Sequence, residues 1–211
     1  MAHNSAIIDL AKVRPEQFRA RRSPSIERLR AASYLCVEGS GSPSQAAFAE
    51  AIRVLYGVAY ALKSARKGAG QPTFKVAPLE GLWWLGRSRT TLPAFDVFHR
   101  TDPNAWRWRL QVMVPKGVTP AAVTRTAAAL ATDKGDVAYR KVSLQRLDEG
   151  RVVQVLHIGP YDHERPSLLR LHDFAARQGV RLRGPHHEIY LNNPQRTAPQ
   201  KLRTILRYPV R

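Results

Sequence analysis

Residues 186–210, HHEIYLNNPQRTAPQKLRTILRYPV, decide how the chain is organised. HHEIYL and KLRTILRY are rich in β-branched and aromatic residues, while the asparagines and prolines of NNPQRTAPQ break any ladder between them. The stretch therefore reads as two strands joined by a loop. Strand alternation turns His186, Glu188 and Tyr190 to one face and His187, Ile189 and Leu191 to the other. With Ile189 and Leu191 under the helices in the core, Glu188 faces a cleft or solvent beside Tyr190. Upstream, a helix over about 166–178 ends at Gly179. Before it, YRKVSLQRLDEGRVVQVLHIGPY reads as a hairpin turning at Asp148, Glu149 and Gly150.

The first half of the chain follows the same order. SYLCVEG, over 33–39, is a strand stopped by Gly39. GSGSPSQ then supplies a turn and a helix start, with Ser42 as N-cap, Pro43 at the first helical position and Gln45 three residues after the cap. Phe48, Ala51, Ile52, Leu55, Ala59 and Leu62 form one helical stripe, with Tyr56 at its edge and Tyr60 further round. After the break at KGAG come the strand-like runs TFKVAPLEGLWWLG and AWRWRLQVMVP, joined by a polar loop over about 87–104. A further helix starts at Thr119 and Pro120.

Strand, glycine turn, long helix, glycine break and a strand carrying a glutamate beside aromatics thus occur twice, from Leu35 through Glu80 to Trp84 and from Val155 through Glu188 to Tyr190. This order predicts an α+β fold of two pseudo-repeated halves, about 31–115 and 138–211, with a mostly antiparallel sheet and two main helices around a central ligand cleft. Residues 1–30 read as a basic arm with at most one short helix.

The 211 residues, 44% of them hydrophobic, exclude wholesale disorder, and no apolar run is long enough to span a membrane. The N-terminus carries no secretion signal and Cys36 is the single cysteine, which together point to the cytoplasm. The net charge of +18 invites a nucleic-acid reading. The arginines are spread along the chain, however, and none of their clusters resembles a recognition helix, a zinc finger or a stacking platform. A solvated basic surface is the better reading, and nucleic acid is not the expected partner. No phosphate-cradling glycine loop and no metal-ligand spacing is present, and His186 and His187 face opposite ways. Neither a cofactor nor a metal is expected.

The expected ligand is a hydrophobic, aromatic small molecule. All four tryptophans lie within 83–108, and flat aromatic walls hold planar or cationic ligands with few hydrogen bonds. Trp83, Trp84 and Trp108, with Tyr56 and Tyr60 from the helix, are the candidate walls. A glutamate in such surroundings is partly desolvated, which moves its pKa towards values useful to a general base. Glu188 is that candidate, and Tyr190 the candidate donor to a substrate oxygen.

PLEGLWW (78–84), HIGPY (157–161), the long C-terminal motif and the helix text EAIRVLYGVAYALK resemble a stand-alone branch of the GyrI-like proteins, from about Ile7 to the C-terminus. The resemblance implies two SHS2-type halves around a small-molecule cleft, with His157 of HIGPY as a further candidate binding residue. That branch includes enzymes resembling cyclopropanoid cyclopropyl hydrolases, which open the cyclopropane of DNA-alkylating spirocyclohexadienone antibiotics. By that resemblance Glu188 would activate water, Tyr190 would bond an oxygen gaining charge, and the aromatic walls would sandwich a flat polycycle in a self-resistance reaction. SGSPS at the first turn departs from the acidic sequence common there. The alternative is a non-catalytic protein that binds drugs or a partner through the same cleft.

Overall fold

The computed structural model describes residues 7–86 and 101–211, so most of the loop expected over 87–104 lies outside the described residues. The elements are β1 (Ile7–Ile8), α1 (Leu10–Val13), α2 (Pro15–Phe18), β2 (Ser25–Arg28), β3 (Ala32–Ser40), α3 (Ala46–Gly68), β4 (Thr73–Phe74), β5 (Leu79–Leu85) and β6 (Trp106–Val114). They continue with α4 (Pro120–Asp133), β7 (Ser143–Leu147), β8 (Arg151–Ile158), α5 (Arg165–Arg177), β9 (His186–Tyr190) and β10 (Arg203–Pro209). The 3.6-residue stripe of α3 buries Ala51, Val54, Leu55, Val58, Ala59 and Leu62. That helix begins later than its sequence suggests. Ser42 accepts hydrogen bonds from the Ser44 and Gln45 amides, closing a separate turn before Ala46. α4 is capped as expected, with Thr119 Oγ1 accepting from the Ala122 amide.

Eight antiparallel strands form the main sheet, in the order β2-β8-β10-β9-β5-β6-β3-β7. One half, β3-α3-β5-β6, contributes the run β5-β6-β3; the other, β8-α5-β9-β10, contributes β9-β10-β8. The two runs meet where β5 pairs with β9, which makes the repeat in element order a repeat in space. The expected hairpin of β7 and β8 does not form. β7 pairs with β3, and β8 pairs with β2 and β10. Residues 25–40 and 143–158 instead lie antiparallel along one another in two ladders, bridged between them by the Leu29 amide donating to Gly150 O at 2.8 Å. Each segment therefore lends its first strand to the opposite half.

The expected basic arm is more ordered than its composition suggests. It supplies two short helices, a β1 strand parallel to β4 and the edge strand β2, and it buries Leu10, Gln17 and Phe18.

Register fixes which side chains share a face. Trp83 stands opposite Trp108, Gly81 opposite both Leu110 and Glu188, and Leu206 opposite Glu188 and Val155. α3 packs on this face through Phe48, and α5 packs on it through Leu168, Leu171 and Ala175 against Val153, Val155 and Leu206. The main helices thus cover the Glu188 face, contrary to the expectation that they cover Ile189. Ile189 is still fully buried, because the opposite face is covered by the N-terminal segment around Leu10 and Phe18. The glutamates of the two repeats sit on corresponding strands but opposite faces, since Glu80 pairs with Ile189 while Gly81 pairs with Glu188.

Candidate functional site

Glu188 and Tyr190 lie on the floor between α3 and α5. The two are i and i+2 on β9, and alternation puts both on the helix-covered face. Tyr190 donates a hydrogen bond to Glu188 Oε2 at 2.6 Å, and Trp83 Nε1–H donates to the Tyr190 oxygen at 3.3 Å. Burial, and then the charge of Glu188, holds the Tyr190 phenol well above its ordinary range, so it remains a donor. The expected donation from Tyr190 to a substrate oxygen is therefore replaced by one to Glu188. Gly81 makes this geometry possible. A Cβ there would stand 2.8 Å from Trp83 Nε1 and 3.0 Å from the Tyr190 oxygen.

The candidate walls divide. Trp83 joins the site and stacks on Phe48 of α3, with ring centroids 5.6 Å apart and planes at 20°. Trp108 shares the face but belongs to the core: it is 1% exposed, meets Phe48 edge-on and donates from Nε1 to Gly41 O at 3.2 Å. Trp84, one residue on from Trp83 and opposite Arg107, turns to the other face and cannot wall the same cleft. Tyr56 and Tyr60 are neighbours on α3, with centroids 6.3 Å apart; Tyr60 is exposed, while burial pushes Tyr56 up to about 12. His157 is on the helix-covered face but both ring nitrogens are engaged, Nδ1 with Ser167 Oγ at 3.2 Å and Nε2 with Pro160 O at 3.1 Å. It pins the turn between β8 and α5 rather than offering itself to a ligand. A depression of about 280 Å³, lined by Arg19, Ala20, Glu27 and Gln154 among others, lies between α2 and β2, away from these residues.

Glu164, His186 and Tyr161, which reading the linear sequence does not single out as site residues, lie beside Glu188 and Tyr190. Glu164, the residue before α5, is 5% exposed, and its carboxyl approaches His186 and Glu188. One ligand-type atom from each of the three lies within 4.8 Å of the others, and His186 Nε2 is 3.1 Å from Glu188 Oε1. Glu164 Oε1, both His186 ring nitrogens and Thr204 Oγ1 are buried without a hydrogen-bond partner. This is the one carboxylate–histidine group among the described residues with atoms close enough to hold a metal ion, and residue spacing does not reveal it because Glu164 comes from another element. Burial, and then the charge of Glu188, pushes the Glu164 carboxyl well above the ordinary range. Tyr161, edge-on to Tyr190 with centroids 5.6 Å apart, is pushed up to about 12 by burial and the same carboxylates.

The opposite face holds a second polar group in the interior. His187 sets Nδ1 2.9 Å from Glu149 Oε1 and Nε2 2.9 Å from Glu80 Oε2. Arg207 donates to Gln154 Oε1, to Gln17 and, at 3.3 Å, to Glu149 Oε2. These residues come from β5, β8, β9, β10, α2 and the turn before β8, so the group ties the two halves together. His186 and His187 do face opposite ways.

No helix among the described residues is long and apolar enough to cross a membrane. No curated protein sequence matches the chain significantly. An uncharacterized conserved protein from Listeria innocua is 32% identical, with a TM-score of 0.86 over 97% of this chain and 100% of that one. A hydrolase from Listeria innocua is 31% identical, with a TM-score of 0.83 over the same shares. The C-terminal domain of EcmrR, 11% identical over 90% of this chain and 97% of its own, shares the fold with a TM-score of 0.53. Residues 113–211 match the GyrI-like small molecule binding domain, and that match takes in β8, α5, β9 and β10 and with them Glu164, His186, Glu188 and Tyr190. With the full-length likeness to the Listeria proteins, the chain belongs to the GyrI-like small-molecule-binding family.

Proposed function

We propose that this protein hydrolyses the strained cyclopropane of planar, spirocyclohexadienone-type genotoxins, with Glu188 as the base. The observation that carries this reading is the chain Trp83–Tyr190–Glu188. It occupies Oε2 of the carboxylate and holds its orientation, leaving Oε1 to take a proton from water. The water oxygen bonds to the cyclopropane carbon and the ring C–C bond breaks. Its electron pair passes into the dienone, which becomes a phenolate and then, on taking up a proton, a phenol. Tyr190 acts here as a positioning residue, and Trp83 offers the aromatic surface on which a flat ligand stacks in place of Phe48. The name of one Listeria relative, a hydrolase, supports hydrolysis, and the family supports a small-molecule ligand.

The test is turnover of a cyclopropanoid, followed as a water-added product by mass spectrometry. Glu188→Gln keeps the hydrogen-bonding span and removes the base, and is expected to lower kcat by roughly 10²–10⁴-fold with affinity changed far less. A glutamine variant that hydrolyses at the wild-type rate refutes the mechanism. Binding without any turnover supports the non-catalytic alternative, in which Glu188 is a counter-ion for cationic drugs.

A further inference from the structure

Two carboxyl groups and an imidazole share a buried space in which Tyr190 donates to Glu188 Oε2 while, among the described residues, Glu164 Oε1 has no hydrogen-bond partner. Two carboxylates so close do not both ionise in a medium that solvates neither well. We propose that Glu164, His186 and Glu188 form a proton-sharing cluster with a single negative charge, in which Glu164 is the protonated member and the positioning residue that keeps Glu188 ionised.

Exposure decides which carboxyl keeps the proton. Glu164 is 5% exposed and one of its oxygens has no partner, whereas the Glu188 side chain is 15% exposed and is stabilised as an anion by the Tyr190 hydroxyl. The titratable groups around Glu164 reinforce this. From β9 they are Glu188, His186 and Tyr190, and from β10 Tyr208. Tyr161 lies on its own connection, His172 on α5, and His157 on β8 with its nitrogens already engaged. Among the described residues, the charge that acts on Glu164 is that of Glu188, and it opposes a second anion. His186, with a ring nitrogen within 4.8 Å of a Glu164 oxygen, gives the proton of that carboxyl a nearby acceptor. The inference deepens the hydrolase reading, because a base is effective only while its neighbour stays neutral.

The first test needs no substrate. A carboxyl raised in the folded state contributes stability that is complete below its unfolded value of 4.5 and is lost as pH rises through the folded value. Glu164→Gln has no such titration. The melting temperature of the variant relative to wild type should therefore climb above pH 4.5, by up to about 3–5 °C per pH unit for a chain of this size. In Glu188→Gln the neighbouring charge is gone, so its melting temperature should fall less steeply than that of wild type over the same range. The second test rests on turnover: wild-type kcat/KM should decline as pH rises through the raised folded value of Glu164, and Glu164→Gln should lose that limb. A difference in melting temperature between wild type and Glu164→Gln that stays constant with pH overturns the proposal. So does stabilisation of wild type, but not Glu164→Gln, by zinc alone, since that makes Glu164 an ionised ligand. If no cyclopropanoid is turned over, the hydrolase reading fails while the melts still decide the proton cluster.

Discussion

Replacing Glu149 by glutamine tests whether the group inside the sheet is charged, as its geometry requires. Burial disfavours both charges, yet the charge of His187 and its hydrogen bond, with Arg207 beyond, bring Glu149 down to about 2 from 4.5. The charges of Glu149 and Glu80 bring His187 up to about 9 from 6.5 against the same burial. Each displacement corresponds to about 3 kcal/mol, and because both describe largely one contact seen from its two partners they are not summed. The Glu149 contribution is complete above pH 4.5 and is lost as pH falls towards 2; that of His187 is complete below 6.5 and is lost as pH rises through 9. Glu149→Gln should thus melt below wild type by roughly 6–12 °C between pH 4.5 and 6.5, and by progressively less on either side. Tryptophan fluorescence melts from pH 3 to 10 provide the measurement. A deficit that does not change across that range would show that the pair is neutral and refute the reasoning.

Trp83→Ala should weaken a planar ligand by about 1–3 kcal/mol through lost stacking, while Trp84→Ala, whose side chain is on the far face, should leave affinity unchanged; fluorescence titration with a planar drug compares them. Tyr190→Phe removes the hydrogen bond that orients Glu188 and should lower kcat by about 10-fold, less than Glu188→Gln, in the same product assay. Gly81→Ala introduces a Cβ 3.0 Å from the Tyr190 oxygen, so it should reduce turnover while every titratable group remains; an unaltered rate would show that Tyr190 tolerates displacement.

Alternation along HHEIYL was enough to pair Glu188 with Tyr190 and to set His186 and His187 apart, because a strand imposes a period of two whatever surrounds it. Helical periodicity and turn glycines likewise placed the three long helices to within a few residues, and the repeated order of elements declared two halves. These are local properties, carried by neighbours in sequence. Applied consistently, the same rule separates Trp83 from Trp84, which composition alone had grouped into one wall. Which face the helices cover was a different matter. Both faces of the sheet are apolar enough to be buried, and only the packing of residues 7–18 against Ile189 assigned the helices to the Glu188 side. The strand exchange at 29–31 and 148–150 was hidden because DEG is as good a hairpin turn as it is a bend linking the two ends of one sheet. Glu164 and Glu149 gave no local sign of their roles: one follows a turn and the other sits in one, 24 and 39 residues before Glu188, and each becomes a buried partner of β9 only when distant segments pack together. Charge buried between distant segments is a property of the closed tertiary structure, and no period along the chain encodes it.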